Sequence, residues 1–173
     1  NGTGPLDLCR GPAGLAAGGS APARQDIMTR SFRFLEEVAL ADTAFEASGD
    51  SPTELFLAAG QAVIETMVNP ATVSARWERV IERTDPELAA LLFDWLSDIV
   101  FLKDAEGVVF RDATAVVTED RSRGGWTVRG TLTGEPIDPG RHELHNDVKA
   151  VTKHLYEVRQ QDGRWIARVV LDI

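Results

Sequence analysis

The sequence predicts an α+β fold: a single domain in which an antiparallel β-sheet packs against two main helices. Two stretches carry apolar residues at helical spacing, between residues 52 and 67 and between 88 and 100. The region after Gly107 instead reads as strands separated by turn residues, with no helix between them. Two helices, each burying an apolar stripe against antiparallel strands, describe α+β.

In chain order, Phe32-Arg33-Phe34-Leu35 and Thr43-Ala44-Phe45-Glu46-Ala47 are short extended candidates, the second ended by Gly49. Ser51-Pro52-Thr53-Glu54 joins a capping box to a proline at the first helical position, so a helix begins there. Its stripe is Phe56, Ala59, Val63 and Met67, and it stops before Asn69-Pro70. Residues 72–81 are rich in β-formers and read as a strand. Asp85-Pro86 then opens a second helix, in which Leu88, Leu91, Leu92, Trp95, Leu96, Ile99 and Val100 mark the clearest apolar period of the chain. Strands follow over 108–118, 126–133, 147–159 and 164–173. Asp162-Gly163 joins the last two as a type I′ hairpin.

The chain has 173 residues, 18 basic and 27 acidic side chains, and a formal net charge of -9. Its mean hydropathy is -0.13. No run of apolar residues approaches the ~18 that a membrane helix requires. Nine of the first thirty residues are Gly or Pro, so residues 1–30 read as a disordered tail and 31–173 as the domain, with Met28 a candidate start. Removing Arg10, Arg24, Arg30, Asp7 and Asp26 leaves 15 basic and 25 acidic residues, so the folded part is the acidic part. That balance argues against a direct RNA-binding module, because phosphate contacts need clustered Lys and Arg. A lone Cys9 supports neither a disulfide nor a thiolate zinc site and suits a reducing cytoplasm.

Standard catalytic sets are missing: the sequence has no G-x-S-x-G, no phosphate-binding P-loop and no G-x-G-x-x-G. His142, His145 and His154 lack the spacing of a zinc site and read as surface or turn histidines. The unusual feature is the ending Leu171-Asp172-Ile173, which sets a side-chain carboxylate beside the terminal one. Adjacent carboxylates need a cation or a basic side chain between them, and an all-oxygen set suits Ca²⁺ or Mg²⁺. A regular two-residue hairpin at Asp162-Gly163 pairs 161 with 164, which sets Lys153 opposite Asp172 as a rival neutraliser. The same count leaves Lys149 four residues further along, roughly 13 Å, unless a bulge intervenes.

These residues resemble the archease family. The likeness spans about residues 32–173 and is carried by Phe32-Arg33-Phe34-Leu35-Glu36, Ala41-Asp42, Leu91-Leu92-Phe93-Asp94-Trp95-Leu96, Glu106-Gly107 and Gly134-Glu135-Pro136-Ile137-Asp138-Pro139. It continues through Arg141-His142-Glu143-Leu144, Val148-Lys149-Ala150-Val151-Thr152, His154 and Val170-Leu171-Asp172-Ile173. The resemblance implies a non-catalytic, chaperone-like activator of an RtcB-type RNA-splicing ligase, one that promotes guanylylation of the ligase and its multiple turnover in tRNA processing. It also implies a divalent ion, calcium in the family reading, on Asp42, Asp172 and Ile173, and a role in activation for Lys149. The pattern departs from the family where Ala39 and Leu40 stand in place of His-Thr, and where Lys153 stands in place of an aromatic. The alternative from another class is a metal-dependent hydrolase using Asp42 and Asp172, with no evident general base beside them.

Overall fold

The computed structural model describes residues 30–39 and 42–173. The expectation of a disordered tail, with its candidate start at Met28, falls on 1–29 and lies outside the described residues. Arg30 already belongs to the first strand. The elements are β1 (Arg30–Ala39), β2 (Asp42–Gly49), α1 (Pro52–Met67), a 3₁₀ turn (Pro70–Thr72), β3 (Trp77–Asp85), α2 (Leu88–Glu106), β4 (Val108–Asp120), β5 (Gly125–Pro136), β6 (Ala150–Gln161) and β7 (Arg164–Asp172). The strands form two antiparallel sheets, β1-β2-β7-β6 and β3-β5-β4. The α+β reading holds, with its strands divided between two sheets. Among the described residues no helix is long and apolar enough to cross a membrane.

The helix starts are made locally. Ser51 Oγ accepts from the Glu54 amide at 3.2 Å, and Glu54 Oε2 accepts from the Asp50 amide at 2.7 Å. This is a capping box displaced by one residue, with Pro52 inside the first turn. Before α2, Asp85 Oδ1 accepts from the Glu87 amide, and Glu87, not Asp85, occupies the cap position. Gly107 closes α2 at φ 63°, ψ 42°, a left-handed conformation that glycine takes without steric cost.

The apolar period of α2 is buried as read: Leu91, Leu92, Trp95, Leu96 and Ile99 are fully enclosed. Trp95 fills a slot made by two glycines. A Cβ on Gly130 would stand 2.5 Å from its ring, and one on Gly60 3.3 Å from its indole nitrogen. The indole N–H donates to the Phe56 carbonyl.

Two strand starts depart most from the sequence reading. The expected strand 72–81 begins only at Trp77 and runs on to Asp85, because Thr72 completes the 3₁₀ turn opened by Asn69-Pro70. The strand expected from Asp147 begins at Ala150. Both Asp162 (φ 52°) and Gly163 (φ 76°) have the positive φ that a type I′ hairpin requires.

Candidate functional site

The candidate residues converge at one end of the four-stranded sheet. Asp42 is the direct cross-strand partner of Asp172. Directly opposed residues of an antiparallel pair share a face, so two carboxylates of like charge stand side by side, an arrangement that is destabilising unless something neutralises it. On its other side Asp172 pairs with Ala150, and the Lys149 amide donates to the Asp172 carbonyl at 2.8 Å. Position 39 pairs with Asp42 across the β1–β2 hairpin, and position 40 lies outside the described residues.

The expected pairing of Lys153 with Asp172 is not formed. From the hairpin the register runs regularly to Glu157↔Arg168 and resumes at Thr152↔Val170, so four residues of β6 stand against the single Val169 of β7. That bulge shifts the register by three and brings Ala150 to Asp172. Lys153 is drawn the other way, its ammonium 3.6 Å from the centre of the Phe93 ring. The Tyr156 hydroxyl donates to the Ala89 carbonyl at 2.6 Å, fixing the far side of the bulge to α2.

The pair's chemistry fits a hard divalent cation, since its donors are carboxylate oxygens. Among the described residues no three His, Cys, Asp or Glu side chains come together as a ligand set. No ion pair joins the Lys149 ammonium to either carboxylate. Lys149 instead lines a cavity of about 490 Å³ with Ser97, Phe101 and Asp104 of α2.

Two groups that the sequence reading did not single out hold the loop leading to Lys149. Buried Glu135 accepts from the Ser74 amide at 2.8 Å, from His142 Nε2 at 2.8 Å and from Arg141 at 2.7 Å. His142 Nδ1 accepts from the Asp138 amide, so its proton resides on Nε2 and points at Glu135. His142 is therefore a buried histidine and not a surface one. The hydrogen bond from His142, with those from Ser74 and Arg141, holds the Glu135 carboxyl down to about 2.

The second group is Lys103, in the last turn of α2, whose ammonium donates to Asp147 Oδ1 and to the Val148 carbonyl. Burial pulls its pKa down, but the bonds to Asp147 and Asp104 outweigh that and leave it raised. The hydrogen bond from Lys103, and then its charge, lower Asp147. Between these anchors, the loop amides of Asn146 and His145 donate to the carbonyls of Thr66 and Met67, and His145 Nδ1 donates to that of Glu65. The loop thus satisfies the orphan carbonyls at the end of α1. Glu135 had a sequence signal, as the only acid inside Gly134-Glu135-Pro136; Lys103 had only its place in the last turn of a helix.

A small acidic α+β protein, with opposed carboxylates and a braced lysine-bearing loop at one sheet end, is the class that fold and site define. The model of the Archease protein family (MTH1598/TM1083) matches residues 32–173, and the chain belongs to that family. It is 40% identical to protein archease of Methanopyrus kandleri over 133 residues, 77% of this chain and 94% of that one. With protein archease of Methanothermobacter thermautotrophicus it shares 36% over 144 residues, 83% and 99% of the two chains. The solution structure of protein 1598 of Methanobacterium thermoautotrophicum superposes with a TM-score of 0.69 at 36% identity, covering 82% of this chain and 98% of that one. A Thermotoga maritima crystal structure, described as an archease and possible chaperone, gives 0.51 at 20% identity over 78% and 93% of the chains, a likeness of fold alone.

Proposed function

We propose that this protein is a non-catalytic, cytoplasmic activator of an RtcB-type RNA-splicing ligase, acting in tRNA processing by promoting guanylylation and renewed turnover of the ligase. The observation that carries the reading is the meeting of Asp42, Asp172 and the Lys149 main chain at one sheet end, in a chain of the archease family. In this reading Asp42, Asp172 and the carboxylate of Ile173 hold a divalent ion, calcium by family resemblance, which supplies the positive charge that opposed carboxylates require. Lys149 is the group presented to the ligase. Lys103 and the Glu135–His142 pair fix the loop that carries it, so its position is set before the partner arrives.

The test is a guanylylation assay of the ligase from the same source, with GTP and manganese, with and without this protein. Stimulation by the wild type, and its strong loss in Lys149→Ala at limiting concentration with the fold intact, is the expected result. A wild type that leaves guanylylation unchanged overturns the reading. Equal stimulation by the variant removes Lys149 from the site.

A further inference from the structure

We infer that the seam between α2 and β6 is the surface that receives the partner protein, through a segment of the partner carrying acidic and large apolar side chains. The inference rests on the activator reading for the identity of that partner, and on the following features for the surface.

The first is exposed apolar area where packing does not call for it. Phe101 of α2 is 64% exposed and Leu155 in the β6 bulge is 53% exposed. Phe101 forms one wall of the 490 Å³ cavity, with Val100, Val151 and Ala150 beside it and Lys149 at its edge. Ala89, Phe93, Ser97 and Phe101 follow at intervals of four, so the Tyr156 anchor, the Lys153 ring contact and the cavity share one face of α2.

The second is the backbone. Leu155 has φ 53°, a left-handed conformation that a leucine adopts only at a cost, on an edge strand whose bulge is tied to α2 on both sides. Exposed and strained together, Leu155 is held in place without contributing to the core. Such positions gather at functional surfaces.

The third is charge. The chain has three lysines. Lys103 is consumed by Asp147 and Asp104, whereas among the described residues Lys149 and Lys153 form no ion pair; Lys149 lines the cavity and Lys153 sits over the Phe93 ring. Asp104 shares the cavity wall with Lys149 and Asp147 stands near it, so the seam is mixed in charge, and its two ammonium groups without an ion pair are open to a few carboxylates of a partner. Two lysines do not offset the field of an acidic domain for a nucleic acid backbone, and the cavity residues Val100, Phe101 and Val151, with the exposed Leu155 on the same strand, suit apolar side chains.

The experiment compares wild type, the double variant Phe101→Ser/Leu155→Asn, and Leu155→Gly in the guanylylation assay, over a range of protein concentrations, and in calorimetric titrations into the ligase. The double variant should raise the half-saturating concentration and weaken binding at least tenfold, with the stimulation reached at saturation unchanged. Lys149→Ala should lower the saturating stimulation as well as weaken binding. Leu155→Gly should weaken binding severalfold while its melting temperature equals or exceeds that of the wild type, since glycine relieves the positive φ; it carries the test should the double variant fail to fold. Half-saturation and binding unaltered in both variants overturn the seam. So does tight binding of a labelled single-stranded RNA to the wild type that the double variant loses, because the surface then reads nucleic acid. If the wild type binds the ligase without stimulating it, and the variants bind weakly, the activator reading fails and the seam stands. If the wild type does not bind the ligase at all, both fall.

Discussion

Replacing Lys103 with methionine separates the brace on the Lys149 loop from the packing of α2. Methionine keeps an unbranched stem in a side chain that is only 10% exposed but removes every N–H from its tip. The Val148 carbonyl then loses a donor at 2.9 Å, in a residue that is fully buried. A hydrogen bond from a charged donor to such a group is worth about 1.5–3 kcal/mol. The Asp147 side chain is 79% exposed and returns to water, so its share is below about 1 kcal/mol. Taking the carbonyl as dominant, the 147–149 stretch is destabilised by about 1.5–2 kcal/mol, and its open population rises tenfold or more, since ~1.4 kcal/mol is a factor of ten. The reporter is the Lys149 amide, bonded to the Asp172 carbonyl at 2.8 Å. Its hydrogen exchange in Lys103→Met should accelerate about tenfold or more, while amides at the centre of β7 accelerate only as far as global stability falls. The melting temperature should drop by roughly 3–8 °C, at about 2–4 °C per kcal/mol for a domain near this size. Lys103→Arg should restore much of the protection. Unchanged exchange at Lys149 in the methionine variant would refute the brace.

Leu92→Ala, at a fully enclosed position of α2, should cost about 2–5 kcal/mol in denaturant unfolding; a loss under half a kcal/mol would contradict the burial. Glu135 has a folded pKa of about 2 against an ordinary 4.5, so the stability it contributes is present above about 4.5 and is lost as pH falls toward 2. Unfolding measured across that window should show a slope in the wild type that is reduced in Glu135→Gln, and superimposable slopes would dismiss the Glu135 clasp as its source. If Asp42, Asp172 and Ile173 bind calcium, millimolar calcium should raise the melting temperature, and both Asp172→Asn and a C-terminal extension should abolish that rise. A wild type indifferent to calcium and manganese sinks the ion assignment and leaves the activator reading to its own assay.

Local chemistry was sufficient for the helices. The capping residues Ser51 and Glu54, the 3.6-residue period from Leu88 to Val100 and the αL glycine at 107 act over one or two turns, and each could be read from neighbours in sequence. The Asp162-Gly163 hairpin belongs to the same group, because its turn needs nothing beyond two residues that tolerate positive φ. The register of β6 does not. Counting outward from that turn gives Lys153 opposite Asp172, and the count fails at the bulge, where Lys153 sits on the Phe93 ring and Tyr156 bonds the Ala89 carbonyl. Both partners lie on a helix some sixty residues earlier, so no local pattern announces the bulge. The roles of Glu135 and Lys103 were hidden for the same reason: a carboxylate becomes a clasp, and an ammonium a brace, only when distant donors and carbonyls are folded against them. Asp42, Lys149 and Asp172 could be named from the residues and their family resemblance. Their meeting at one sheet end is a product of strand order, since β2 and β6 become neighbours of β7 only in the assembled sheet.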